Sequence, residues 1–263
     1  MLKTSYLDQM IKNCGIKFTY RQLIINNVKH PEIVRKYAQK KVDAGILDVF
    51  YFVDDYRAEI AEKLEIQPDF PGQGQHYLFG ALTGIYLAKT EFVLHLMLDV
   101  FLPNPKHGLW IPEACELLTQ NPDYLIANPV RNYNRQEWRS NKIIGNFYVG
   151  RFYITDNCFL LKSKDFQQKI YNHPLHTTSK GYPTYGQGAS FEQRANNFMY
   201  AKNLKQLIAK DCSFLHCDFL NKANKLRRLW FYILMKLGLY IPYLNWRNHR
   251  EARLFTKKTL DYS

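Results

Sequence analysis

Paired cysteines, a glycine-rich phosphate loop and any long uncharged apolar run are all missing from this chain, and each absence removes a class of protein. The five cysteines (Cys14, Cys115, Cys158, Cys212 and Cys217) are scattered, with no Cys-x-x-Cys pair. Neither a zinc ribbon nor a disulfide framework is supported, and a reducing cytosol is the simplest compartment. No apolar h-region follows Met1-Leu2-Lys3, so no secretory leader is expected. No glycine-rich loop with an adjacent Lys or Arg follows the first strand, which argues against a nucleotidyltransferase. RNP, KH and helix-turn-helix patterns are absent, so nucleic acid is not an expected partner despite a net charge of +13. Internal repeats and low-complexity tracts are lacking too. The 263 residues therefore fit one large α/β domain, 1–220, with a tail, 221–263.

Acidic residues are scarce in that tail. Residues 222–258 hold ten Lys or Arg and one acid, Glu251, so nine of the thirteen net positive charges sit there. The remainder carries the charge of an ordinary globular domain.

What the chain does have is a regular succession of apolar runs and helical segments. Residues 21–27 read as a strand ending in Asn26-Asn27, and 31–44 as a helix with Pro31 in its first turn and Gly45 closing it. Residues 47–53 read as a second strand ending in Asp54-Asp55, and 56–64 as a helix. This β-α-β-α order predicts a mostly parallel central sheet with helices on both faces. Residues 67–75 are a Pro/Gly/Gln-rich loop. Helix 76–89 carries Gly80, Ala81, Gly84 and Ala88, which would let it lie close to the sheet. The run 92–102, FVLHLMLDVFL, is too apolar to alternate and reads as a strand buried on both faces. Asp99 interrupts it. A carboxylate there is costly to bury unless a cation or donors meet it, and in open α/β sheets ligands bind beyond the carboxyl ends of strands. Asp99 thus faces a metal or ligand, or else caps a turn before Pro103.

A short helix at 111–120 follows, then strands at 124–129, 148–153 and 157–161 and a helix at 165–171. Residues 172–189, with Tyr182, Tyr185 and three glycines, suit a substrate-binding flap. Ser190 would cap a helix over 190–202, with Glu192 in its first turn. Short extended pieces at 204–209 and 212–217 complete the domain.

This order of elements, with an Asp-Asp after the second strand and an acid in the apolar run, resembles the GT-A fold of nucleotide-sugar glycosyltransferases, family 2 in particular. The resemblance covers roughly residues 18–218. It implies that Asp54 and Asp55, with Asn26 and Gly84, bind the sugar nucleotide. Met97-Leu98-Asp99 matches the family's D-x-D triplet with its first acid replaced by Met97. Asp99 is then the acid of the metal and diphosphate site, and His216, in Phe214-Leu215-His216-Cys217, completes a Mn²⁺ or Mg²⁺ shell. Glu192 matches the catalytic acid that activates the acceptor hydroxyl. The implied reaction is inverting transfer from a nucleoside-diphosphate sugar to a sugar or lipid-linked acceptor. A domain that has lost catalysis and serves as a binding or scaffold subunit is the alternative. Read without the resemblance, His216 is a strand-end histidine, Glu192 stabilises a helix N-terminus, and Asp54-Asp55 cap a helix.

The tail reads as a basic amphipathic helical extension. Its apolar stretch, 229–244, contains Lys236 and Pro242 and is short of the ~20 residues a spanning helix needs. Trp230, Tyr232, Tyr240, Tyr243 and Trp246 suit headgroup depth, so an in-plane anchor on a membrane surface is expected. A helix docked on the domain is the other reading.

Overall fold

The computed structural model describes residues 1–66, 75–134, 142–150, 154–174, 190–217 and 224–260. Within these, side chains are described from 77 in the second stretch and up to 253 in the last. The loop at 67–74 and the flap expected around Tyr182 and Tyr185 lie outside these residues.

The elements run α1 (Tyr6–Lys12), β1 (Gln22–Ile25), α2 (Pro31–Asp43), β2 (Val49–Phe52), α3 (Arg57–Lys63), α4 (Gln75–Tyr86), β3 (Phe92–Leu96) and β4 (Val100–Phe101). They continue with α5 (Trp110–Gln120), β5 (Tyr124–Arg131), β6 (Ile143–Ile144), β7 (Phe147–Gly150), β8 (Cys158–Lys162), α6 (Ser163–Phe166), α7 (Phe191–Ala201) and β9 (Lys205–His216). The last two are α8 (Lys225–Lys236) and α9 (Tyr240–Leu260). Local chemistry sets several boundaries. Pro31 opens α2, and Gly45, at φ +66°, takes the left-handed conformation just past its end. Ser190 and Gln193 form a reciprocal capping box at the start of α7.

Strands β1 and β2 pair in parallel, joined through α2. The larger sheet has seven strands in the order β3-β8-β5-β9-β7-β6, with β4 beside β9. Here the expectation of a mostly parallel sheet is corrected. Among the described residues of this sheet only β5 and β9 pair in parallel; β3–β8, β5–β8, β7–β9, β6–β7 and β4–β9 are antiparallel. For β6 and β7 the reason is connection length. Parallel neighbours need a long crossover, whereas β6 and β7 are joined by Gly145-Asn146 alone and must reverse. The chain is α/β with helices on both faces, but on a mixed sheet.

The run 92–102 is not one strand. Val100 donates its N–H to the Met97 carbonyl at 3.0 Å, closing a turn through Leu98 and Asp99. β3 stays with β8 at one end of the strand order, and β4 crosses to β9. The expected burial on both faces holds for Val100, Phe101 and Leu102, whereas β3 is half-buried along its length. Phe92, Leu94 and Leu96 pack towards α5, and Val93 packs towards α4. The two pieces at 204–209 and 212–217 are a single strand, β9. The helix expected at 165–171 is the single turn α6, and α1 lies where no element was expected.

Strand β8 shows how the core is divided. Phe159 and Leu161 face the cluster built with α4 and α7, while Cys158 and Leu160 face the cluster built with α5. Glycines bring α4 close to β1. A Cβ at Gly84 would stand 3.3 Å from Ile24 Cγ1, and one at Gly80 3.3 Å from Asn26 Nδ2. The tail helices are docked, not loose. Phe231, Leu234, Met235, Tyr240, Ile241 and Leu244 share a buried cluster with Tyr6, Leu7, Phe101, Leu215 and Cys217. Each such side chain contributes roughly 1.5–3 kcal/mol when fully buried.

Candidate active site at the sheet rim

The parallel pair β5 and β9 ends on one rim, and four ionisable side chains gather there from four parts of the chain. Register explains how. Val100 pairs with His216, and Cys217 donates its N–H to the Asp99 carbonyl at 3.0 Å, so the turn before β4 lies beside the end of β9. Arg131 ends β5 opposite Phe214. Beyond it, Asn132 accepts from the His216 N–H at 2.9 Å through Oδ1 and donates to the Phe214 carbonyl at 2.8 Å. On the other side, the buried Tyr6 hydroxyl donates to the Leu98 carbonyl and fixes the turn from below. Burial, with Cys217, Tyr240 and Asp99 nearby, raises the Tyr6 phenol well above its ordinary value, so it stays a donor.

The result is a chain of contacts through one imidazole. His216 Nε2 lies 3.3 Å from Asp99 Oδ2, and His216 Nδ1 lies 2.6 Å from Arg131 Nη2. A guanidinium has no acceptor, so Arg131 donates and Nδ1 accepts. In the neutral ring the proton is therefore on Nε2, where it faces Asp99.

The resemblance implies a divalent ion at this rim, and these donors can be tested against one. Asp99 fits: it is a hard oxygen donor with its side chain about a third exposed. His216 in this arrangement does not. A ligating imidazole offers one nitrogen to the metal and normally donates from the other, whereas here the other nitrogen already receives the Arg131 proton. A ligand role for His216 requires Arg131 to leave Nδ1. Among the described residues no group of three or more His, Cys, Asp or Glu side chains is arranged to hold a metal.

Asp156 is the fourth member, reached from the segment just before β8. Burial raises its carboxyl pKa and Asp99 adds to the rise, while His216 and Arg131 oppose it. Asn157 ties it to the turn. Asn157 Nδ2 donates to Asp156 Oδ1 at 2.8 Å and meets the Met97 sulfur at 3.3 Å, and the Asn157 carbonyl accepts from the Met97 N–H. A carboxylate from β8's approach thus stands beside Met97, where the resemblance leads one to expect an acid.

The remaining expected residues are distributed as follows. Asn26 follows β1, and Asp54 and Asp55 form an exposed 3₁₀ turn after β2. The capping role considered for the two acids is not realised: α3 starts at Arg57 with Tyr56 before it and no side-chain cap, and Asp54 Oδ1 accepts from Arg57 at 3.3 Å. Ile25 and Phe52 share a buried cluster with Phe101 and Leu215, so these strand ends approach the Asp99 turn from one side. Gly84 is turned to β1, where it packs on Ile24 and its carbonyl accepts from Gln22 Nε2 at 2.6 Å. Glu192 is buried in the first turn of α7. Its neighbour Phe191 stacks on Phe159 of β8 at 5.2 Å.

Sequence reasoning missed Arg131 and Asp156. Arg131 was hidden by Pro129, which normally ends a strand. Here β5 runs through it at a register shift between Pro129 and Val130, where a missing N–H is tolerated. For Asp156 the available signal was an acid two residues ahead of an apolar run. A scan against protein-family models finds no match to this chain, and a search of curated proteins finds none.

Proposed function

We propose that this chain is a GT-A-type glycosyltransferase that moves a sugar from a nucleoside-diphosphate sugar to an acceptor hydroxyl. The observation that carries this reading is the meeting of Asp99 with His216, at 3.3 Å, on the rim where β5 and β9 end. The resemblance had placed both at the metal and diphosphate site, Asp99 as its acid and His216 as a metal ligand.

The proposed step is a single displacement. The acceptor oxygen attacks the anomeric carbon opposite the diphosphate, the carbon–oxygen bond to the diphosphate breaks, and the hydroxyl proton passes to the Glu192 carboxylate. Asp99 would hold Mn²⁺ or Mg²⁺ there, and such an ion would supply positive charge to the leaving diphosphate. Arg131, oriented by His216, adds a fixed side-chain cation there. Asn26, Asp54 and Asp55 receive the nucleoside. The reading carries with it a cytoplasmic location and an acceptor from polysaccharide or glycolipid synthesis.

Glu192→Gln tests the mechanism. Transfer should fall by roughly 10²–10⁴-fold while donor binding is kept; turnover like the unaltered protein removes Glu192 from the role.

A second reading rests on its own observation. Met97 fills the first acid's place, and its side chain packs beside the buried cluster around α5, its sulfur meeting Asn157. A domain adapted in this way serves as a binding or scaffold subunit. Titration with UDP- and GDP-sugars separates the two, since the scaffold binds neither.

A further inference from the structure

Helix α8 carries two apolar faces, and among the described residues only one is packed into the fold. Phe231, Leu234 and Met235 are buried against α1, α9 and the ends of β4 and β9. Opposite them, Leu226, Leu229, Trp230, Ile233 and Leu237 are between 40 and 79 % exposed. At 100° per residue these five fall within an arc of about 100°, in a stripe about 17 Å long. Lys225, Tyr232 and Lys236 border it, with the Lys236 ammonium 5.8 Å from the Tyr232 ring centre. Asn224 caps the helix by accepting the Arg227 N–H at 2.9 Å, so the stripe is presented on a formed helix.

A contiguous apolar stripe left in water is unfavourable and marks a surface meant to be covered. We propose that it lies in the headgroup layer of an anionic lipid bilayer, with the helix parallel to the surface. Three observations choose this occupant. Residues 224–253 contain seven Lys or Arg and one acid, Glu251, which is paired with Arg247 at 3.0 Å. That excess suits anionic lipid and sets a second copy of the same surface against it. The inner face of α8 is already packed on the domain, so what it offers is a shallow strip on a convex surface. A flat bilayer can cover such a strip, whereas a groove that grips a helix wraps more of its girth. Finally, among the described residues no helix is long and apolar enough to cross a membrane, so the contact is lateral. The two sequence readings of the tail are thus combined in one helix, docked by one face and lipid-facing by the other. Tyr240, expected at headgroup depth, is instead buried in the docking cluster.

The test is co-sedimentation of the full chain with vesicles of phosphatidylcholine alone and of phosphatidylcholine with one-quarter phosphatidylglycerol, at low and high salt. The partner variant is Leu229→Gln/Trp230→Gln/Ile233→Gln, all exposed positions outside the site, with unchanged thermal unfolding as the control for folding. Binding should favour the anionic vesicles, weaken at high salt and fall at least tenfold in the triple variant. Equal binding to both vesicle types, no binding to anionic vesicles, or an unaffected triple variant overturns the proposal. So does a dimer in solution that the triple variant abolishes, because the stripe is then a self-interface. None of these readouts depends on sugar transfer, so failure here leaves the reading of the rim untouched.

Discussion

Arg131 decides which nitrogen of His216 carries the proton. Its guanidinium lies 2.6 Å from Nδ1 and can only donate, so Nε2–H is directed at Asp99, 3.3 Å away. The three side chains form a relay whose polarity is set at its cationic end.

The relay predicts a tautomer. Long-range ¹⁵N–¹H correlation of the His216 ring should show Nε2 protonated at neutral pH. In Arg131→Met, Nδ1 becomes able to hold the proton and Nε2 to act as a metal ligand, so Mn²⁺ should bind more tightly than to the unaltered protein. A ring already protonated at Nδ1 in the unaltered protein contradicts the relay.

Asp156 predicts an opposition between stability and activity. Its folded pKa is raised, chiefly by burial. The fold is therefore least burdened below the unfolded carboxyl pKa, and stability from this group is lost as pH rises through the folded value. At neutral pH, Asp156→Asn should raise Tm or leave it unchanged, while lowering donor binding. A lower Tm with donor binding intact argues against both halves.

His95 predicts an acid-sensitive fold. It stacks on Phe159 at 4.6 Å, and burial lowers its pKa from 6.5 to about 4. The unfolded chain then binds a proton that the folded chain refuses, so stability is intact above pH 6.5 and is lost as pH falls from there towards 4. Denaturant unfolding at pH 7 and pH 5 should differ by about 1–2 kcal/mol more in the unaltered protein than in His95→Phe. Identical pH dependence in the two shows that the ring titrates normally.

Local chemistry was readable where it acts over a few residues. Pro31 and Gly45 bracket α2, Ser190 opens α7, and Gly80 and Gly84 let α4 approach β1, all as their residue types suggest. Strand direction was not readable, because apolarity in 92–102 and 157–161 reports burial, partial in β3 and complete in most of β8, and carries no sense of orientation. The break at Leu98-Asp99 was concealed in the same way: Val100 and Phe101 are as apolar as β3, yet they belong to β9's side of the sheet. At the rim, Asp99 and His216 could be named because the resemblance linked them. Arg131 and Asp156 reach them only through the pairing of β5, β8 and β9, which is long-range. The two faces of α8 show the same limit, since the sequence gives two apolar stripes and only packing decides which is covered.

The most direct measurement is calorimetric titration of UDP and GDP, with and without Mn²⁺, into the unaltered protein and into Asp99→Asn. A donor site at the rim requires that one of the two nucleotides bind the unaltered protein and that binding weaken at least tenfold in Asp99→Asn. Nucleotide binding indifferent to Asp99, or no binding under any of these conditions, contradicts it.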